Sequence, residues 1–393
     1  LYLVRSSNTM NNISRIIPPS VTHLQLTLRE EPTETDPQAV TFATLENLKH
    51  LKLNSYRWTC HLDHDSLPSS IESMELSVPF HNSKRLVLPP KLKTFKVKAT
   101  EAFQRVVFHR TVDGDVEPGL PPSLTSFTFP RATGNLAEFA PIDELSPLPP
   151  GLRHLQVGEK LSPHCFQQLP KSLTSLNAGD EVVYLRNVPL PILPAFDFPC
   201  LVSLEIMSAS QMHLPSLKLL PRSMTKLLLA FKGLSAPMEE SLLETFPPGL
   251  LYLEIVSYPT APFDNITRRG FTALTAFRQL TNLAIQFEEM SSDIQDQDLL
   301  LLPRTLHLLH LKGTTPFTSA GFAYLPRYLR SLLISKLQSV ESSDVVLLPR
   351  SLTALALHSH KMQDPNFMGL APSPLSQTEL EGVFYVPETA KQA

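Results

Sequence analysis

Along most of this chain apolar residues return in one spacing: an apolar residue, two variable positions, an apolar residue, one variable position, and then usually Leu, Ile or Val. Copies include Leu48, Leu51 and Leu53; Leu92, Phe95 and Val97; Leu124, Phe127 and Phe129; and Leu352, Leu355 and Leu357. The end of each copy alternates apolar and variable, which predicts a short strand with one buried side and one open side. In the copy at 329–335, Leu332 and Ile334 are expected to point into the core and Ser331, Leu333 and Ser335 outward. The first apolar residue falls at 21, 48, 71, 92, 124, 152, 173, 201, 224, 250, 280, 306, 329 and 352, about fourteen copies at a mean step of roughly 25 residues. A buried amphipathic helix can mimic one copy by chance, but not fourteen at a fixed step.

Proline punctuates the repeat. Eleven copies carry an apolar residue followed by Pro three positions ahead of the first apolar residue, as in Ile17-Pro18, Leu67-Pro68, Leu120-Pro121, Phe246-Pro247 and Leu348-Pro349. The copies at Leu48, Leu201 and Leu280 lose or shift that proline. Between strands, the segments Thr267 to Leu274, Ser319 to Leu325 and Ser343 to Leu348 predict one or two turns of helix. Ser, Thr or Asp would cap their starts, and proline would end them by pushing the preceding residue toward extended backbone. Leu1-Tyr2-Leu3 stands one repeat step ahead of Leu24-Gln25-Leu26 and reads as the tail of an earlier, truncated strand. The organisation expected is therefore a single array: 1–16 as that tail, 17–360 as about fourteen repeats, and 361–393 as a degenerate terminal repeat or cap, with Leu380, Val383 and Tyr385, followed by a tail.

The phrase Leu348-Pro349-Arg350-Ser351-Leu352-Thr353-Ala354-Leu355-Ala356-Leu357 resembles the repeats of the leucine-rich-repeat family, and the resemblance covers essentially the whole chain. It implies an α/β solenoid, with a curved parallel sheet on the concave face and short helices or extended segments on the convex face. The wording is similar to repeats of fungal and protist proteins and of bacterial effector ubiquitin ligases. Ile266-Thr267-Arg268-Arg269-Gly270-Phe271 resembles a phrase in the repeats of F-box proteins. One departure is the missing Asn three positions after each strand, where Tyr56, Thr314 and His360 stand instead. The backbone groups it would satisfy must find Ser, Thr, water or local turns.

Composition narrows the reading. The chain holds 37 Pro but only 13 Gly, so turns are expected to come from proline-fixed φ rather than from positive φ. With 42% hydrophobic and 18% charged residues the chain can form a core, which excludes a disordered polymer. A net charge of −3 lacks the basic excess of a nucleic-acid binder, and no apolar run is long enough to span a bilayer. Cys60, Cys165 and Cys200 are too scattered for a disulfide framework, which points to a reducing, cytoplasmic setting; Cys165 and Cys200 are expected to pack as inert thiols.

Catalytic motifs are absent from the sequence, and no cofactor or metal site is expected. The densest ligand-type run, Cys60-His61-Leu62-Asp63-His64-Asp65, has no second cluster at a recognised spacing and reads as a polar loop, as do His358 and His360 at a strand end. The outward positions carry more information. They are polar early in the chain, with His23, Gln25, His50, Lys52, Glu75, Lys96 and His154, and turn apolar later, with Leu228, Ala230, Tyr252, Val256, Ala284, Leu308, Leu333, Ala354 and Ala356. An exposed apolar patch marks an interaction surface. The expected anchors for a protein partner are Leu228, Tyr252, Leu308 and Leu333, with His310 among them. Arg222, Arg304, Arg327 and Arg350 each follow the repeat proline and form a candidate basic flank for an acidic peptide or phosphates, with Lys171 in register earlier. The sequence thus predicts a monomeric, non-enzymatic solenoid that recognises a protein. Carried over from the family, the sharpest version is the substrate-binding arm of an F-box type ubiquitin ligase. The alternatives are the repeat portion of an effector or enzyme whose catalytic domain lies elsewhere, or a receptor ectodomain.

Overall fold

The computed structural model describes residues 1–5, 17–28, 41–55, 66–77, 88–97, 120–129, 148–158, 168–178, 198–206, 220–232, 243–258, 265–337 and 342–359. The terminal unit at Leu380, the Cys60 to Asp65 run and Cys165 lie outside the described residues. The chain forms two compact units, Leu1–Leu201 and Val202–Ala393.

In the first unit each repeat contributes one strand, and neighbours pair in parallel in chain order. The strands are β1 (Tyr2–Arg5), β2 (His23–Leu28), β3 (His50–Ser55), β4 (Ser73–Ser77), β5 (Thr94–Val97), β6 (Ser126–Phe129), β7 (His154–Val157) and β8 (Ser175–Ala178). β1 aligns Tyr2 with Gln25 and Leu3 with Leu26, so the first residues do form one further strand of the array. The alternation read from the sequence is the alternation of burial. One inward row runs Leu24, Leu51, Met74, Phe95, Phe127, Leu155 and Leu176; a second runs Leu26, Leu53, Leu76, Val97, Phe129, Val157 and Ala178. Each large apolar side chain in these rows stabilises the array by about 1.5–3 kcal/mol on leaving water. Phe95 and Phe127 also stack, 5.7 Å between centroids.

The second unit repeats the plan with β9 (Ser203–Ile206), β10 (Lys226–Lys232), β11 (Tyr252–Tyr258), β13 (Asn282–Met290), β14 (Leu308–Thr314), β15 (Ser331–Leu337) and β16 (Ala354–Ser359), all parallel, with the short β12 (Asn265–Ile266) added to β13. This is the leucine-rich-repeat architecture: one short strand per repeat, parallel neighbours, and two leucine-type rows buried beneath.

The connecting segments depart from expectation in one respect. Only α1 (Arg268–Ala273) is an α-helix of more than one residue among the described residues; it is capped by Thr267, whose hydroxyl accepts from the Gly270 N–H at 3.2 Å. Ser319–Tyr324 and Ser342–Leu347 are 3₁₀ turns, as is Asp296–Leu301. So short a segment, closed by a repeat proline, gains little from the cooperative ladder of an α-helix, whereas i→i+3 bonds form at once. Carboxylates tie these turns together. Asp298 accepts from the Arg268 Nε at 3.1 Å and from the Gln295 N–H at 2.8 Å. Asp296 accepts from the Thr318 N–H at 2.8 Å and from its hydroxyl, and Asp344 pairs with the Ser319 hydroxyl.

The prolines end the segments before them as expected, with Leu302 and Leu325 extended ahead of Pro303 and Pro326, and they also open the next turn. In all eleven proline copies the Pro carbonyl accepts from the N–H three positions on, as in Leu124 to Pro121 at 3.0 Å and Leu329 to Pro326 at 3.2 Å. Yet Leu48, Leu201 and Leu280 make the same bond to Leu45, Phe198 and Phe277. The turn therefore does not require proline at its first position. What proline adds there is a buried ring at Pro68, Pro89, Pro121, Pro149, Pro247, Pro303 and Pro326, and a stop to the segment before it. The low use of positive φ holds: among the described residues only Lys336 and Gly313 adopt it.

The Ser-Leu-Thr wording has a structural meaning that the sequence did not disclose. Ser at the third turn position donates back to two carbonyls of the preceding repeat, Ser123 to Pro90 and Leu92 at 2.8 Å each, and Ser351 to Arg327 at 2.7 Å and Leu329 at 2.6 Å. The following Thr donates to one more, Thr125 to Lys93 and Thr353 to Arg330, both at 3.1 Å. This hydroxyl ladder sits at the entrance to the strands, where the expected Asn ladder would sit at their exit. Cys200 occupies the same turn position as these serines and is exposed, so the expectation of a packed thiol fails there because that position faces solvent.

Two glycines test this account with opposite signs. A Cβ on Gly249 would lie 3.6 Å from the Arg222 carbonyl and 3.9 Å from that of Met224, the two acceptors a ladder serine would use. Gly249→Ser is predicted to stabilise the unit by about 0.5–1.5 kcal/mol, through the added rung and a less flexible unfolded chain. A Cβ on Gly321 would stand 2.7 Å from Asp296 Oδ1, so Gly321→Ala should cost about 1–3 kcal/mol. Thermal unfolding of both variants is the measurement; a loss of stability in Gly249→Ser would refute the ladder.

Candidate functional site

The open face of the unit Val202–Ala393 is made of the alternate residues of its strands. Strand register sets them in two rows. The first runs Ser203, Lys226, Tyr252, Asn282, Leu308, Ser331 and Ala354, and the second Glu205, Leu228, Glu254, Ala284, His310, Leu333 and Ala356. All the expected anchors lie on these rows, and all are half-buried. They form two groups. Leu308, His310 and Leu333 sit together on β14 and β15, with His310 aligned to Leu333 and Leu308 to Ser331. Leu228 and Tyr252 sit on β10 and β11, and Asn282 and Ala284 of β13 separate the groups.

Two expectations need correction. Ala230 and Val256 do not belong to the open face, being 0% and 9% exposed, because the alternation of burial ends with Leu229 and Ile255; on β11 Ser257 is buried as well, so both sides of that strand are covered there. The face is also less apolar than expected, since Lys226, Glu254 and Asn282 interleave with the expected anchors. Counting the same alternate positions without favouring the apolar ones would have shown this.

Two of these polar residues, Lys226 and Glu254, hold Tyr252. Lys226 pairs with Glu205 and stands 5.2 Å from the centre of the Tyr252 ring, a cation over a π face. The Tyr252 hydroxyl donates to the Glu254 carboxylate. Burial raises the Tyr252 phenol well above its ordinary value, and the bond to Glu254 and the charges of Glu254 and Glu205 act the same way. Tyr252 is therefore neutral, pinned at its hydroxyl and covered on one face, with little rotamer freedom left. His310 Nε2 lies 3.3 Å from the Ser331 hydroxyl. Burial lowers the His310 pKa, Lys312 lowers it further, and Glu254 opposes.

Arg222, Arg304, Arg327 and Arg350 are exposed at the second turn position, four places ahead of Lys226, Leu308, Ser331 and Ala354. The last three consequently line one flank beside the second anchor group. The Arg304 guanidinium reaches the Tyr324 carbonyl at 3.5 Å. Among the described residues no group of three metal-ligating side chains occurs, and no helix is long and apolar enough to cross a membrane.

No family model matches this chain, and no curated protein matches it. Solved structures do. The circular leucine-rich-repeat protein CroV588 is 18% identical over 88% of this chain at a TM-score of 0.41, and this chain spans about half of it, 54%. A leucine-rich-repeat protein of Leptospira interrogans is 14% identical over 90% of this chain and 93% of its own, at a TM-score of 0.42. TLR13 from its complex with ssRNA13 is 16% identical over 93% of this chain and 67% of its own, at 0.44. Each is a likeness at low identity, and the leucine-rich-repeat assignment rests on the chain's own register, turns and buried rows.

The lowered His310 pKa carries a sign. Its ordinary value is 6.5, so as pH falls the unfolded chain takes up this proton before the folded chain, and the site subtracts stability on acidification. His310→Gln should therefore flatten the fall in urea midpoint between about pH 7.5 and about pH 5.5 relative to the parent. Superimposable pH profiles for the two proteins would contradict the assignment.

Proposed function

We propose that this chain is a non-catalytic protein-recognition module, and that the unit Val202–Ala393 docks a protein partner on its open face. The observation that carries this reading is the diagonal placement of Leu308 and Leu333 on adjacent strands, half-exposed beside the small Ala354 and Ala356, with Tyr252 held by Lys226 and Glu254 two strands away from Leu308. Interfaces draw most of their affinity from a few aromatic and aliphatic anchors ringed by polar groups, which describes this arrangement. Arg304, Arg327 and Arg350 on the flank supply electrostatic steering toward a partner that carries acidic residues beside its apolar contact.

The repeat wording supports a finer version of the same proposal, in which the module is the substrate-recognition arm of an F-box type ubiquitin ligase, acting as a monomer in the reducing cytoplasm. The three widely separated cysteines favour that compartment.

The test is affinity capture with the intact chain, comparing the parent with Leu308→Asp plus Leu333→Asp. The double variant places two charges on the face without touching the buried rows, so it should keep its thermal midpoint and lose its specific partners by at least about tenfold, roughly 1.4 kcal/mol or more. Undiminished capture by the folded double variant would end this reading. Arg327→Glu should slow association and weaken its salt dependence while leaving dissociation nearly unchanged.

A further inference from the structure

The open face of the unit Leu1–Leu201 has a different character, and its charges form a pattern. On β3, β4 and β5 register aligns Lys52 with Glu75 and Glu75 with Lys96. One carboxylate oxygen of Glu75 serves both ammonium groups, at 3.0 Å from Lys52 and 3.8 Å from Lys96. Three positions earlier, at the strand entrances, the row repeats as Lys49, Glu72 and Lys93, with Lys93 to Glu72 at 2.7 Å. Both rows hold two cations for one carboxylate. Between Thr41 and Val97 the described residues carry five lysines against three glutamates, a local excess opposite in sign to the chain's net charge of −3. Beside the rows, His23 and His50 stack at 4.1 Å between ring centroids. They help line an open groove of about 360 Å³ with Tyr2, Lys52, Ser73 and Glu75.

We propose that this face is a second, independent binding surface, which takes an acidic protein segment in polyproline II conformation with carboxylates three residues apart. The spacing carries the choice. Lys52 and Lys96 are two strands apart, about 9.6 Å. A polyproline II segment returns to the same side every third residue, about 9.3 Å on. The two backbones therefore match in period, and carboxylates at i and i+3 would draw Lys52 and Lys96, which both lean onto one Glu75 oxygen at 3.0 and 3.8 Å, back toward their own strands, while the residue pair between them crosses Glu75 without charge. Rings and grooves are the usual partners of such a segment, and the His23–His50 stack and Tyr2 supply them. A nucleic-acid backbone fits less well, because its unbroken row of phosphates would pass over Glu72 and Glu75. This proposal does not depend on the docking face of the other unit.

Protonation adds a handle. Burial lowers the His50 pKa, His23 and Lys49 lower it further, and Glu72 opposes. Among the described residues, the charged or titratable groups that face the stack are the Leu1 amino group and Tyr2 beside β2, Lys49 and Lys52 of the β3 repeat, and Glu72 and Glu75 of the β4 repeat. A bound carboxylate favours the imidazolium form, so affinity should rise as pH falls toward about 5.5, where the carboxylates of the segment remain ionised.

The experiment is fluorescence anisotropy of the intact chain with labelled (Glu-Pro-Pro)₄, its (Gln-Pro-Pro)₄ counterpart and a uridine dodecamer. The proposal expects saturable binding of the Glu peptide, loss of at least about tenfold affinity for the Gln peptide, weakening with salt, and tighter binding at the lower pH. Lys52→Glu plus Lys96→Glu should abolish binding, and the milder Lys52→Gln plus Lys96→Gln should weaken it at least about fivefold with an unchanged thermal midpoint. Leu308→Asp plus Leu333→Asp should leave the peptide isotherm untouched, which separates failure here from failure of the docking face. Equal binding of both peptides, tighter binding of the dodecamer, or full affinity in the folded Gln variant would each overturn the proposal.

Discussion

One backbone contact governs everything else: at the entrance of a strand, a single carbonyl of one repeat accepts two successive N–H groups of the next. Thr22 accepts from Lys49 at 2.9 Å and His50 at 3.0 Å, Lys93 from Thr125 and Ser126, and Arg330 from Thr353 and Ala354 at 2.8 and 3.0 Å. Each bond contributes only about 0.5–1.5 kcal/mol. Their importance is geometric. Ser73 aligns with Thr94 across a short repeat and Thr94 with Ser126 across a much longer one, with no slip in register. Extra residues in a repeat must therefore leave after the strand, and a surface row remains a row whatever the repeat length.

Hydroxyl side chains reinforce that contact at the same point. The Lys93 carbonyl, already shared by two N–H groups, also accepts from the Thr125 hydroxyl, and serines such as Ser172 bridge two further carbonyls at 2.6 Å. A ladder at the strand entrance replaces the Asn ladder of the usual leucine-rich repeat. It demands no positive φ, which is consistent with a chain rich in proline and poor in glycine. Buried proline rings fill the space under seven of the turns, and in the three turns without that proline the same hydrogen bond forms over a buried Leu45, Phe198 or Phe277.

Because the scaffold fixes the rows, chemistry on the open face is free to vary. In the unit Leu1–Leu201 the rows read as alternating charge, with Lys52, Glu75 and Lys96 solvated on an otherwise polar face. In the unit Val202–Ala393 they read as half-buried Leu228, Leu308 and Leu333 among polar neighbours, with an ionic and aromatic cluster of Glu205, Lys226, Tyr252 and Glu254 spread over three adjacent strands. The same backbone geometry thus presents two surfaces of unlike chemistry.

The fold was legible in the residue pattern alone, because a strand that alternates in burial needs only local information: Leu332 and Ile334 are inward, and Ser331, Leu333 and Ser335 are half-exposed, as their alternation requires. The pattern also put Leu228, Tyr252, Leu308 and Leu333 on the open rows and the four arginines at exposed turn positions. What those residues touch emerged only once the strands were assembled. Glu205, Lys226 and Tyr252 belong to three successive repeats, and nothing local ties a cation to a ring across a whole repeat until register makes them neighbours. The same holds for Ser351 and the carbonyls of Arg327 and Leu329, and for the burial of Ala230 and Val256. Pattern encodes which side of a strand a residue faces, whereas partners across strands depend on loop lengths that the pattern does not constrain.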